Sequence, residues 1–274
     1  MYGSGGSGFA EVNGAALYYE TVGAGEPVVL LHAGIADRRM WNPQLEALAE
    51  RYRVVRFDRR GFGRSPLTDG PYAHHEDLRG LLDSLGIERA SLVGCSMGGA
   101  AAIDFALRYP ERVRSLVLVG SAVSGAKSDE PPPKEWDELV AAEEAGNLER
   151  VSELEVRIWV DGPFRSPEEV DPAVRDLVRE MNLVALRSEA SGLGEERPAD
   201  PPAAERLGEI QVPTLVVVGA LDRPEIVARS EALARRIPRA RKVVLEGTAH
   251  VPNMERPEEF NEAVLAFLAE EGGL

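Results

Sequence analysis

The stretch Gly94-Cys95-Ser96-Met97-Gly98 places a serine between two glycines, with sequences of different character on either side. An apolar run at 90–93 leads into it, and an alanine-rich, helix-like run at 100–107 leads out. This pattern predicts a strand that turns sharply into a helix and exposes Ser96 Oγ at the turn. Such a turn strains the serine backbone and leaves no room for a side chain at either glycine. The stretch is typical of a nucleophile elbow.

Two loops farther along the chain carry the residue types that a serine nucleophile needs. A β-branched apolar run at 213–218 precedes Gly219-Ala220-Leu221-Asp222, so Asp222 is expected just past the end of a strand. A second strand-like run at 241–246 precedes Gly247-Thr248-Ala249-His250. The two loops are therefore expected at the same sheet edge as Ser96.

These three residue types work together in one kind of chemistry. A serine hydroxyl is a weak nucleophile at neutral pH, so a histidine must take its proton, and a carboxylate must hold the imidazole in the right tautomer. We therefore predict Ser96, Asp222 and His250 as the catalytic residues. The alternative interpretations are a loop role for His250 and a helix N-cap for Asp222, in which case Asp129 and Asp161 are the acids to test.

The chain resembles the α/β-hydrolase superfamily over about residues 9–268. Beside the elbow, the resemblance rests on four segments in the order of that family, at 30–34, 57–65, 219–222 and 247–250. It implies an α/β fold with an eight-stranded, mostly parallel sheet and an inserted helical cap. Within the superfamily the chain is similar to small esterases, 3-oxoadipate enol-lactone hydrolases and haloperoxidase-like perhydrolases. The haloalkane dehalogenases and epoxide hydrolases carry an aspartate nucleophile, so Ser96 argues against both.

The resemblance also implies an oxyanion hole. In relatives the donors are the backbone N–H groups of the third residue of a His-Gly-x motif and of the residue after the nucleophile. Here these are Gly34 and Met97. His32-Ala33-Gly34 departs from the motif at its second position, so Ile35 remains the alternative donor.

The alternation of strand-like and helix-like segments predicts the domain organisation. Residues 1–8 are rich in glycine and serine and are expected to form a flexible leader. The hydrolase core is predicted over 9–120 and 213–274, and the cap over 121–212, where Pro131-Pro132-Pro133 ends the pattern. The predicted strands are 9–12, 17–22, 28–32, 53–58, 91–94, 113–119, 215–218 and 242–245. The predicted helices are 43–51, 75–85, 97–109, 225–236 and 257–270 in the core, and 136–145, 148–160, 167–171 and 174–186 in the cap.

The cap is predicted to supply the apolar part of the substrate pocket. The candidate substrate-binding residues are Trp136, Trp159, Phe164, Met181 and Leu183. The alternative interpretation of each is packing within the cap itself. Together they suggest a pocket of modest size for an acyl or alkyl chain.

Composition excludes several functional classes. The net charge of −15 over 274 residues argues against a nucleic-acid partner. Cys95 is the single cysteine, which excludes an internal disulfide, and it is expected to be a small buried apolar residue. There is neither an apolar stretch of membrane-spanning length nor a secretory segment, so a cytoplasmic protein is expected.

Other motifs favour structural roles. Arg59, Arg60 and Arg64 are predicted to shape a loop beneath the elbow. His74 and His75 are adjacent in a predicted helix and do not share a face, so a metal site there is not expected. We predict neither a metal nor a cofactor, and the sequence does not predict the oligomeric state.

The leading hypothesis is a cofactor-free serine hydrolase that cleaves small carboxylic esters or lactones through an acyl-enzyme. The same triad is also compatible with carbon–carbon bond hydrolysis or peracid formation. A ligand-binding receptor on a hydrolase scaffold is the alternative from a different functional class.

Overall fold

The protein is described by a computed structural model that covers residues 5–128 and 130–272. In this part of the chain, eight strands form one sheet in the order β1-β2-β4-β3-β6-β7-β9-β10. The strands are β1 (Gly6–Val12), β2 (Ala15–Val22), β3 (Pro27–Leu31), β4 (Arg53–Phe57), β6 (Ala90–Cys95), β7 (Val113–Val119), β9 (Thr214–Gly219) and β10 (Ala240–Leu245). Two short strands, β5 (Pro71–Tyr72) and β8 (Glu195–Glu196), pair separately in parallel.

The sheet is parallel from β4 to β10, while β2 pairs antiparallel with both β1 and β4. The central strands β6, β7 and β9 are buried almost throughout, as expected for parallel strands covered on both faces. This architecture confirms the predicted α/β fold class with a mostly parallel eight-stranded sheet.

The predicted leader is wrong in its second half. Strand β1 begins at Gly6, and Gly6, Ser7 and Gly8 pair with Thr21, Glu20 and Tyr19 of β2. Residues 6–8 carry no apolar pattern that indicates a strand, and the pairing with β2 imposes the extended conformation. Residues 1–4 of the predicted leader lie outside the described residues.

Helices cover both faces of the sheet. They are α1 (Asn42–Ala49), α2 (His74–Ser84), α3 (Met97–Arg108), α7 (Pro224–Arg236), α8 (Pro252–Glu255) and α9 (Pro257–Gly272). On one face, Leu48 of α1 and Phe260 of α9 join a core that also contains Trp41. On the other face, Leu81 of α2 and Ile103 of α3 belong to a second core. No helix in the described ranges is long and apolar enough to cross a membrane.

Residues 121–212, here called the insertion, separate two strands that are neighbours in the sheet, β7 and β9. Its helices are α4 (Trp136–Glu144), α5 (Leu148–Val156), a π-helical continuation of α5 (Arg157–Asp161) and α6 (Pro172–Glu189). The predicted helix at 167–171 is a single 3₁₀ turn, Pro167–Glu169. Leu139, Val151 and Leu154 form a small core inside the insertion. Val156 and Val178 join the core on the α1 and α9 face of the sheet.

The topology brings several loops to one edge of the sheet. Because β6, β7, β9 and β10 run parallel, the loops that follow them leave the sheet at the same edge. In open α/β sheets this carboxyl edge is where ligands bind. The candidate catalytic residues lie in three of these loops.

Candidate active site

Ser96 lies at a strained turn between β6 and α3. Its backbone has φ +52° and ψ −117°, and positive φ is uncommon for a residue other than glycine. A Cβ atom on Gly94 would lie 2.5 Å from Gly98 O, and one on Gly98 would lie 2.3 Å from Leu31 O. Both distances are too short for any side chain, so the two glycines are what allow the chain to turn here and present Ser96.

Asp222 and His250 are in direct contact. His250 Nδ1 lies 2.8 Å from Asp222 Oδ2, and both side chains are almost completely buried, at 2% and 1% exposure. The second oxygen, Asp222 Oδ1, accepts a hydrogen bond from the Arg223 N–H at 2.8 Å. The carboxylate is therefore held by one fixed backbone donor and by the imidazole. An ionised carboxylate only accepts, so His250 Nδ1 carries the hydrogen and Nε2 is left free to accept a proton.

Ser96 and His250 line the same cavity, which has a volume of about 670 Å³. The ring of Trp159 covers the imidazole of His250, with 4.7 Å between the ring centroids. The backbone carbonyl of Trp159 accepts a hydrogen bond from the backbone N–H of His250 at 3.3 Å. Within the described residues, no hydrogen bond joins Ser96 Oγ to His250. Catalytic hydrogen bonds of this kind are often long before substrate binds.

The backbone amides that could receive a negative oxygen lie beside Ser96. Gly34, Ile35 and Met97 all line the cavity, and a Cβ atom on Gly34 would lie 2.5 Å from Met97 Sδ. In the described part of the chain, none of the three N–H groups donates a hydrogen bond to another protein group. The site can therefore offer two or more backbone donors to an oxyanion.

His32 supports the loop that carries these amides. Its Nδ1 lies 2.7 Å from Ala33 O, and its Nε2 accepts the Arg59 N–H at 2.9 Å. Burial, together with the nearby Arg59 charge, holds the pKa of His32 well below its ordinary value of 6.5. A neutral His32 with its hydrogen on Nδ1 satisfies both bonds, so this residue ties the loop after β3 to the loop after β4.

The arginines of the loop after β4 are engaged in structural contacts, as predicted. Arg59 is buried, donates to Ala33 O at 3.3 Å and stacks on Phe62. Arg60 Nε donates to Asp77 Oδ2 at 2.9 Å in a buried ion pair. The Arg64 guanidinium lies over the Tyr18 ring. Cys95 is buried as expected, and burial raises the pKa of its thiol far above the usual range.

Of the five predicted substrate-binding residues, Trp159 lines the cavity and the other four do not. Trp136 and Phe164 are 47% and 62% exposed on the protein surface. Met181 is fully buried, and its sulfur accepts the Asp37 N–H at 3.5 Å, while Leu183 is half-buried elsewhere. The prediction is wrong for these four because hydrophobic residues identify a helix in the insertion without identifying which of its faces meets the cavity.

Other residues line the cavity that were not predicted from the sequence. The missed apolar residues include Phe62, Leu186 and Ile226, and the missed polar residues include Glu155 and Asn182. A sequence signal was available for Glu155, since it lies four residues before Trp159 and therefore about one helical turn away.

Of the two alternative acids, Asp161 is engaged away from His250. Asp161 is buried and bonded to Arg175, with 2.7 Å between Asp161 Oδ1 and Arg175 Nε. Asp129 lies outside the described residues. In the ranges that the structure describes, no group of three or more histidine, cysteine, aspartate or glutamate residues is arranged to hold a metal ion.

Comparisons with known proteins agree with this architecture. The Alpha/beta hydrolase family matches residues 28–263. A 2-hydroxy-6-oxononadienedioate/2-hydroxy-6-oxononatrienedioate hydrolase of Paraburkholderia phymatum is 33% identical, covering 93% of this chain and 91% of its own. A pimeloyl-[acyl-carrier protein] methyl ester esterase of Aeromonas hydrophila is 31% identical, covering 91% and 98%.

Among solved structures, the enol-lactonase of Burkholderia xenovorans LB400 superimposes with a TM-score of 0.77 at 28% identity, covering 96% of this chain and all of its own. The substrates named for these three proteins differ. The extent of the family match shows that this chain belongs to the Alpha/beta hydrolase family.

Proposed function

We propose that the protein is a serine hydrolase that cleaves small carboxylic esters or lactones through an acyl-enzyme. The observation that carries this proposal is the 2.8 Å bond between His250 and Asp222 at a cavity that Ser96 also lines. A buried imidazole oriented by a carboxylate, beside a serine on a strained turn, is the arrangement that activates a hydroxyl for attack on a carbonyl.

Each step of the reaction then has a residue to perform it. His250 Nε2 takes the Ser96 hydroxyl proton as Oγ attacks the substrate carbonyl carbon. Asp222 stabilises the imidazolium that forms. The tetrahedral intermediate collapses when His250 returns the proton to the leaving oxygen, and the acyl group remains on Ser96. A water, deprotonated by His250, then attacks the acyl carbon; the bond to Ser96 Oγ breaks, His250 returns the proton to Oγ, and the acid is released.

The oxyanion of the tetrahedral intermediate is assigned to the backbone amides at the cavity wall. The N–H of Met97 is one donor, and the N–H of Gly34 or Ile35 is the other. Backbone amides at this position are fixed before the reaction starts, so they stabilise the developing charge without reorganisation. A single donor of this kind is typically worth about 10²–10³ in kcat.

A serine-directed fluorophosphonate tests the nucleophile. Intact-protein mass spectrometry should show one adduct per chain, and peptide mapping should place it on Ser96. The adduct should disappear in Ser96→Ala and persist in Ser188→Ala, a matched control because Ser188 also lines the cavity. Labelling that survives Ser96→Ala would refute the assignment.

A substrate panel then tests the reaction class. The panel contains p-nitrophenyl esters of graded chain length, an enol-lactone and a vinylogous diketone. We expect turnover of the esters and the lactone. Carbon–carbon bond hydrolysis is the second candidate, because the Paraburkholderia phymatum relative is named for an oxo-dienedioate rather than an ester. Faster turnover of the diketone would favour it.

A further inference from the structure

The insertion contributes a polar wall to the cavity. Glu155 and Asn182 line the cavity together with Glu189, and all three belong to helices α5 and α6. Glu155 precedes Trp159 by four residues, and Trp159 covers His250 at 4.7 Å. One helical turn advances about 5.4 Å. Glu155 therefore lies roughly one helical turn from Trp159, and both line the cavity that Ser96 and His250 also line.

The contacts of Glu155 and Asn182 leave acceptors unpaired. Asn182 Nδ2 donates to Glu155 Oε2 at 2.6 Å and to Ser152 Oγ at 3.3 Å. Both hydrogens of the amide are thus engaged. In the part of the chain described by the structure, neither Glu155 Oε1 nor Asn182 Oδ1 accepts a hydrogen bond, and neither atom is completely buried. Both oxygens are therefore available to a hydrogen-bond donor in the cavity.

The charge around Glu155 is also uncompensated. Neither Glu155 nor Glu189 forms an ion pair with a described residue. Burial raises the pKa of Glu155, the bond from Asn182 opposes that rise, and the neighbouring Glu189 and Glu143 charges add to it. A carboxylate in this environment gains from a cation placed beside it.

The other charged residues of the cavity lie on different elements. Arg60 is bonded to Asp77, and Glu196 faces the buried Arg59 charge. Arg229 is on α7, the helix that follows the Asp222 loop, and has no ion-pair partner among the described residues. A cation is therefore present on the α7 side of the cavity, and the described insertion residues that line the cavity include no arginine or lysine.

We propose that Glu155 and Asn182 form a subsite for a hydrogen-bond-donating cation, an alkylammonium group at the non-reacting end of the substrate. The three hydrogens of an ammonium group match the free Glu155 and Asn182 oxygens, and its charge matches the unpaired carboxylate. The inference rests on the proposed hydrolase function and specifies its substrate class. A carboxylate in the same place would meet acceptors and like charge only.

Three p-nitrophenyl esters with the same six-carbon acyl chain test this subsite. They are 6-aminohexanoate, hexanoate and the half ester of adipate, which are cationic, neutral and anionic. We expect kcat/KM for the amine to exceed that for the carboxylate at least tenfold, equivalent to about 1.4 kcal/mol. In Glu155→Gln the ratio should fall to within about threefold. The ratio is measured within one protein preparation, so it is independent of the fraction of active enzyme.

Glu144→Gln is the matched control, because Glu144 is an exposed acid of the insertion that does not line the cavity. Its ratio should equal that of the unmodified protein. A wild-type preference for the carboxylate would overturn the proposal and indicate that Arg229 governs charge selection. A ratio that is unchanged by Glu155→Gln would overturn the role of Glu155.

A binding experiment separates failure of the subsite from failure of the hydrolase function. Calorimetry compares 6-aminohexanamide with adipic acid monoamide, which keep the two charges and contain no ester. Tighter binding of the amine, lost in Glu155→Gln, supports the subsite even if no ester turns over. Equal binding of the two, or tighter binding of the monoamide, refutes the subsite even if all three esters are hydrolysed.

Discussion

Replacing Asp222 with asparagine tests the assigned acid, because the structure allows the amide only two orientations. If Oδ1 keeps the hydrogen bond from the Arg223 N–H, the amide nitrogen faces His250 Nδ1. It then donates to Nδ1, so the imidazole hydrogen moves to Nε2. A protonated Nε2 cannot accept the Ser96 proton, and this orientation is inactive.

The flipped orientation restores the tautomer at a cost. The amide nitrogen then faces the Arg223 N–H, and two buried donors confront each other. An unsatisfied buried donor costs about 1–3 kcal/mol, so the flipped form is populated at roughly one part in 10 to 10². The carboxylate charge beside the imidazolium is also lost, and at an effective dielectric of 20 unit charges 4 Å apart contribute about 4 kcal/mol. An amide dipole replaces part of this energy.

Together these effects predict a fall in kcat/KM of about 10³–10⁴ for Asp222→Asn, comparable to the loss of about 10⁴ in kcat for the same change in a serine protease. The assay is hydrolysis of p-nitrophenyl butyrate, with thermal unfolding to confirm the fold. Asp161→Asn is the control, because Asp161 is equally buried but bonded to Arg175. It should lose stability and keep its activity. An Asp222→Asn variant that retains more than about a tenth of the activity would refute the reasoning.

Three further changes test other parts of the site. Gly120→Ala should lower activity at least about tenfold, because the added Cβ would lie 3.2 Å from His250 Nδ1. It should also destabilise the protein by about 1–2 kcal/mol, because Gly120 has φ +47°. Ester hydrolysis measures the first effect and urea unfolding the second. Trp159→Ala should lower kcat/KM and favour longer acyl chains, whereas Phe164→Ala, at an exposed side chain, should change neither in a chain-length series. Burial and nearby arginines hold the pKa of His74 well below 6.5. Below pH 6.5 the unfolded chain therefore binds a proton at His74 that the native state does not bind, and the free energy of unfolding falls. His74→Gln should remove about 1.4 kcal/mol of that loss at pH 5.5, and equal urea-unfolding losses in both proteins between pH 7.5 and 5.5 would contradict this origin.

Local patterns in the sequence were enough to predict most of the fold. Short apolar runs rich in β-branched residues favour strands covered on both faces, and β6, β7 and β9 were predicted within one residue at every end. The turn at Ser96 was predictable because its two glycines report a steric requirement of the backbone, independent of what lies around them. The start of β1 was not, since residues 6–8 are extended only through pairing with residues 19–21 of the next strand, β2.

The candidate site likewise has a part that local sequence predicts and a part that only the tertiary structure decides. The placement of Ser96, Asp222 and His250 at one edge of the sheet was predictable, because each follows a strand and the ends of parallel strands meet at one edge. The lining of the cavity was not predictable. The packing of the insertion against the sheet decides which face of each of its helices meets the cavity, and the helix sequence alone does not show that face. Met181 and Trp159 are both apolar residues of these helices, yet one is buried in the core and the other covers His250. The Glu155–Asn182 bond joins residues 27 positions apart on α5 and α6, so tertiary packing alone brings them together.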